Sequence, residues 1–155
     1  MEKILRLHQT VTRFDTLIAD WGGSLLSLAI RIYVGMAFFK AGLVKISDWD
    51  STLALFHDEY MVPVLPPDLA AYMGASGELV FPLLLFVGLF SRPAAFGLFF
   101  VNAMAVISYP ALFMFECTAG LKDHFCWGAM LLVLVAFGPG RLSIDGWLAA
   151  KAKKR

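Results

Sequence analysis

Charge is what this 155-residue chain has least of: Asp, Glu, Lys and Arg together make up 16% of it, and hydrophobic residues 59%. Soluble domains carry roughly a quarter charged residues, so a scarcity this deep, with a mean hydropathy of +0.73, excludes water as the main solvent. Other absences narrow the chemistry. No phosphate-binding loop, serine-nucleophile arrangement or nucleic-acid signature is present, and the glycines lack a nucleotide-binding context. Soluble nucleotide enzymology and nucleic-acid partners are therefore disfavoured. There is no internal repeat, no low-complexity tract and no soluble domain. The first twenty or so residues mix charges throughout and lack an apolar core followed by a small-residue cleavage site, so the first span is expected to stay in the mature protein.

What is present is a set of apolar runs. About 20 helical residues are needed to cross roughly 30 Å of hydrocarbon, and residues 25–43, 69–90 and 93–113 suffice. A fourth run, 122–138, looks short and is expected to stand near the membrane normal or to rely on flanking residues. The expected fold is all-α, a polytopic four-helix membrane bundle in a lipid bilayer, with interfacial amphipathic segments at both ends. Three regions follow: 1–21, an interfacial segment in which Ile4, Leu7, Val11, Phe14, Ile18 and Trp21 recur at helical spacing; 22–141, the membrane domain; and 142–155, a basic tail. Placing the termini and the Ser91-Arg92-Pro93 turn in the cytoplasm gathers Lys3, Arg6, Arg13, Arg92, Arg141, Lys151, Lys153, Lys154 and Arg155 on one side. Only Lys45 and Lys122 stay on the other, with Asp48, Asp50, Asp58, Glu59, Asp68, Glu116 and Asp123. That asymmetry predicts a bacterial inner (cytoplasmic) membrane protein with both termini inside. Trp21, Trp49, Trp127 and Trp147 fall near the predicted boundaries, as an aromatic belt would require.

Between the first two spans, Asp50-Ser51 precedes Leu53, Leu55, Phe56 and Tyr60, predicting a short surface helix that Pro63, Pro66 and Pro67 end. Pro82 is a candidate kink in the second span. Gly138-Pro139-Gly140 ends the fourth, and Ser143 is a candidate cap for the tail. Small residues on the first and second spans would let helices approach closely, within one chain or in a homo-oligomer.

Ionisable groups inside spans are costly and need partners. Counting residues from the helix ends brings Arg31, Glu78 and Asn102 to similar depths, which predicts an Arg31–Glu78 pair bonded by Asn102. Lys40 lies nearer the outside and would snorkel or compete for Glu78. This cluster reads either as an ion pair holding the bundle together or as a polar site for a quinone head group, a proton or an ion. Cys117 and Cys126, eight residues apart near the outer face, read as a disulfide, as inert thiols or as reactive groups; the spacing is not the redox Cys-x-x-Cys pattern. His124, with Glu116, Asp123 and the two cysteines nearby and His57 reaching across, offers soft ligands for copper or zinc; the alternative is an ordinary interfacial histidine.

Arg31 with Gly35, Phe38, Gly42 and Lys45, then Glu78, Gly88 followed by Arg92, and the run from Gly138 to Asp145 together resemble the DoxX family of small four-helix membrane proteins over about residues 27–145. Residues 31–34, 38–43, 65–67 and 106–110 are closer to a DoxX subgroup that often accompanies iron-dependent enzymes modifying cysteine-rich peptides, in a copper-stress context. Asp123-His124 and Trp127-Gly128 look shared with that subgroup; the cysteines do not. The resemblance implies a role in sulfur oxidation, quinone reduction or oxidative-stress defence. The expected function is an inner-membrane accessory protein in redox or metal-stress homeostasis, linked to quinone and to a membrane or periplasmic redox partner. It would be at most a subunit of an oxidoreductase, with quinone or copper as the cofactor implied. The alternatives are a noncatalytic scaffold or assembly factor in a copper-responsive system and a small-solute or proton pathway centred on Glu78.

Overall fold

The computed structural model describes residues 1–114 and 118–153, and its elements are helices. Helix α1 (Glu2–Leu17) continues through a π-helical turn, Ile18–Gly22, into α2 (Gly23–Ser47). A short α3 (Trp49–Asp58) lies on the face away from the termini. Helices α4 (Pro67–Val87), α5 (Ser91–Ser108) and α6 (Thr118–Phe137) follow, and α7 (Ile144–Ala152) returns to the face where α1 enters. Four helices, α2, α4, α5 and α6, are long and apolar enough to cross a membrane. The chain is an all-α four-helix membrane bundle.

Each boundary has a local cause. Pro67 opens α4, where its missing N–H costs nothing. Gly88 closes it in the left-handed conformation with φ of 70°. Inside α4, Pro82 has no N–H to donate to the Glu78 carbonyl four residues back, so the helix loses one bond beside its acidic side chain. Asp48 caps α3 by accepting from the Ser51 N–H at 3.0 Å and the Ser51 hydroxyl at 2.7 Å. These bonds to its charged form hold the Asp48 carboxyl below its ordinary value. Ser143 caps α7 by accepting from the Gly146 N–H at 3.0 Å.

The spans differ from the sequence expectation in their bounds: α2 runs four residues past Leu43 and α4 covers Pro67–Val87 rather than 69–90. The third ends at Ser108, not 113, because Pro110 disfavours a helical Tyr109 and leaves a 3-10 turn, Pro110–Phe113. The fourth is not short. It begins at Thr118 and runs 20 residues, about 30 Å, because Thr118, Ala119, Gly120 and Leu121 add a helical turn ahead of Lys122.

Helix α2 packs most extensively on α4, α4 on α5, and α5 on α6, which closes back onto α2. A Cβ at Gly42 would stand 2.9 Å from the Leu79 side chain, so glycine there sets the close approach of α2 to α4. Val34, Phe38, Leu85, Ala94, Ala95, Leu98, Leu131 and Leu134 form the buried core. Trp127 departs from the expected belt. It packs against this core, its ring 5.4 Å from Phe38, since it sits well inside the lengthened α6.

Candidate functional site

Polar side chains gather at two levels of the bundle. On the level nearer the termini, Arg31 is fully buried and donates Nη1 to the Leu85 carbonyl at 3.0 Å and Nη2 to the Leu142 carbonyl. Asp145, whose negative charge acts on Arg31, accepts from the Phe90 N–H at 3.0 Å and the Ser91 N–H at 2.8 Å, capping the start of α5. Its own N–H donates to the Gly88 carbonyl at 2.9 Å. Ser27 donates to the Gly138 carbonyl at 3.0 Å, and Ser24 accepts from the Arg141 N–H at 2.9 Å. These contacts bind the 138–146 segment across the ends of α2, α4 and α5.

Nearer the opposite face, Glu78 pairs with Lys45, whose Nζ lies 2.7 Å and 2.9 Å from the two carboxylate oxygens. The expected Arg31–Glu78 pair is thus replaced. Helix α2 extends to Ser47, which places Lys45 on a span rather than in a loop, and Arg31 turns toward the terminal face, where it bonds the Leu85 and Leu142 carbonyls. Asn102 bonds to neither charge. Its amide oxygen lies 2.8 Å from His124 Nδ1, and its amide nitrogen donates to the His124 carbonyl at 2.9 Å, tying α5 to α6. Lys40 is exposed on the outer surface of α2, outside the cluster.

A cavity of about 1110 Å³ opens beside the Lys45–Glu78 pair. Its walls are mostly apolar and come from α2, α3, α4, α5, α6, the 60–65 segment and the 3-10 turn. Met73, Val80, Phe96 and Phe100 line it and are also exposed on the outside of α4 and α5. The cavity therefore opens sideways, at depths where the surroundings are lipid. Its polar residues include Lys45, Tyr60, Ser76, Glu78, Ser108, Tyr109, His124 and Trp127.

The 60–65 segment is held over this end. The Met61 N–H donates to the Ser108 carbonyl at 2.7 Å, and the Tyr60 ring meets Phe56 at 4.8 Å and Tyr109 at 5.1 Å, both edge to face. Thr52 donates to the Lys45 carbonyl at 2.9 Å, pinning α3 to the end of α2. Burial, with the fields of Tyr109, Glu78 and Glu59, pushes the Tyr60 phenol above its ordinary value. It stays a neutral donor and acceptor at the cavity rim.

The expected soft-metal set does not come together among the described residues, where no group of three His, Cys, Asp or Glu side chains is assembled. His57 faces Asp68 at 2.8 Å on the surface, His124 is engaged by Asn102, and Cys126 carries an exposed free thiol. Glu116 and Cys117 lie outside the described residues, and with them the expected disulfide. Sequence reasoning missed Lys45 as the partner of Glu78, Asp145 as a cap, and Tyr60, Ser108 and Tyr109 as cavity residues. Tyr109-Pro110 carried a signal: a proline after an apolar run ends the helix and leaves Ser108 and Tyr109 at its mouth.

The comparisons agree with this architecture. The DoxX family model matches residues 26–121. An uncharacterized protein of Haemophilus influenzae is 30% identical over 129 residues, covering 80% of this chain and 83% of that protein. No solved structure matches. A family match over more than half of the chain, on a bundle of the expected kind, leads to one conclusion: the protein belongs to the DoxX family.

Proposed function

We propose that this protein is a membrane-embedded accessory unit of a redox system, and that its cavity holds a quinone drawn from the bilayer. One observation carries the reading: a large apolar cavity that opens between the lipid-facing sides of α4 and α5 ends at a partly buried Lys45–Glu78 pair. A lipid-soluble molecule with a long apolar tail and a small polar ring satisfies both ends. The donor chemistry also fits. Lys45 donates, Glu78 accepts, and Tyr60 does either, so ring oxygens find partners while the walls of α4 and α5 take the tail. Quinone, when bound, supplies reversible electron and proton transfer. The chain's own residues bind the ring, exclude water through the Tyr60 rim and carry a titratable pair beside it.

In this reading the termini face the cytoplasm of a bacterial inner membrane, where Lys and Arg concentrate. The cavity then lies near the outer face, close to a membrane or periplasmic electron donor. A copper-linked role rests on the subgroup resemblance alone. The test is purification in native lipid discs followed by mass spectrometry of the extracted lipids. Wild type is expected to carry quinone in near-stoichiometric amount, and Glu78→Gln, still folded, to have lost most of it. Wild type with no quinone, and with none taken up on addition, would favour a noncatalytic scaffold.

A further inference from the structure

His124 meets the cavity with one ring nitrogen tied and the other open. It lies on the face of α6 that continues through Gly128, Leu131 and Leu134, all buried, so its ring points into the bundle and not at lipid. Asn102 holds it from behind. The Asn102 amide nitrogen donates to the His124 carbonyl at 2.9 Å, which leaves the amide oxygen, 2.8 Å from Nδ1, as an acceptor. Nδ1 must therefore carry the hydrogen, and in the uncharged ring Nε2 is then a bare acceptor. Nε2 has no hydrogen-bond partner among the described residues and, unlike the Ser91 and Ser108 hydroxyls, it is accessible. Trp127, edge to face at 5.1 Å, steadies the ring. The Lys45 charge acts on His124, which puts this ring at the same end of the cavity as the Lys45–Glu78 pair.

We propose that His124 Nε2 is a ligand-contacting acceptor that takes the O–H of a reduced, hydroxyl-bearing head group, so that the cavity binds quinol in preference to quinone. This deepens the quinone reading and rests on it. A quinone carbonyl has no hydrogen to offer and would meet the Nε2 lone pair head on. Moving the ring hydrogen to Nε2 would relieve that clash, but it would set the Nδ1 lone pair against the Asn102 oxygen and leave a buried acceptor without a donor. Asn102 is thus a positioning residue, through which the site reads the redox state of its occupant.

The experiment titrates wild type, His124→Phe and Asn102→Ala in lipid discs with decyl-ubiquinol and with decyl-ubiquinone, anaerobically and at about pH 8, above the ordinary histidine range. Wild type is expected to bind the quinol about tenfold more tightly, the size of one hydrogen bond. His124→Phe should lose about tenfold for the quinol and little for the quinone. Asn102→Ala frees the tautomer, so it should gain affinity for the quinone and lose the preference. A merely structural histidine would weaken both forms together. A second readout needs no change at the site: nitrogen-15 NMR of histidine-labelled wild type, with His124 assigned by His8→Gln and His57→Gln, should show its Nε2 resonance moved by the quinol and not by the quinone. No preference for quinol in wild type, or equal losses for both forms in His124→Phe, overturns the assignment of His124 and leaves the quinone reading standing; so does an Nε2 resonance that bound quinol leaves in place. Wild type that binds neither probe overturns both.

Discussion

The two polar levels of this bundle handle buried charge in opposite ways. Near the termini, Arg31 and Asp145 spend their hydrogen bonds on backbone groups of Leu85, Leu142, Phe90 and Ser91, near the end of α4, in the 138–146 segment and at the start of α5. Near the opposite face, Lys45 and Glu78 bond to each other, and a cavity adjoins them. Backbone groups released at helix ends need partners whatever the protein does, so the first level is a frame. A side-chain pair on a cavity wall satisfies no such need, and in a membrane it persists against a cost of roughly 2.5 to 3.5 kcal/mol per group on insertion scales. On the proposed reading, one end is structural and the other recognises a ligand.

The largest effect should come from breaking the frame. Arg31→Met leaves the Leu142 carbonyl without its donor and Asp145 without its balancing charge, a loss of about 3 to 5 kcal/mol. Equilibrium unfolding in mixed micelles would register it, and α7 should detach from the bundle first. Removing one member of the Lys45–Glu78 pair comes next. Lys45→Met should cost about 2 to 3 kcal/mol by stranding Glu78, while the double change Lys45→Met with Glu78→Leu should recover most of that stability without recovering ligand. A frame residue would show no such split between stability and binding. Asp145→Ala should cost about 1 to 2 kcal/mol through loss of the α5 cap, with faster hydrogen exchange at Phe90 and Ser91. The smallest effect is at Asp48. Its folded value is depressed, so the capping contribution is present above the ordinary value of 3.8 and disappears as pH falls through the depressed one. Exchange at the Ser51 and Thr52 amides should accelerate only in that acidic range. At Tyr60 the sign reverses: with its phenol raised, the rim is held at neutral pH and weakens as pH climbs past about 10.

The spans were legible because an apolar run of sufficient length has few alternatives in a membrane. Arg31 and Glu78 were legible as buried for the same reason. Their partners were not. Counting depth along each helix ignores where the helix ends and which way a long side chain reaches. Extending α2 by four residues past Leu43 put Lys45 beside Glu78, and starting α6 at Thr118 put His124 beside Asn102. Asp145 read as part of a tail, though its carboxylate caps the start of a helix some fifty positions earlier in the chain. The cavity left no periodic trace, since it is made by many separate segments of the chain meeting.

The most direct test of the contrast is photo-crosslinking with an azido-quinone in native lipid discs, followed by peptide mapping of the labelled sites. The account predicts label on residues 73–81 of α4 and 96–108 of α5, at the level of Lys45 and Glu78. Label confined to residues 138–146 and the adjoining ends of α2 and α4, or spread evenly over the lipid-facing surface, would contradict it.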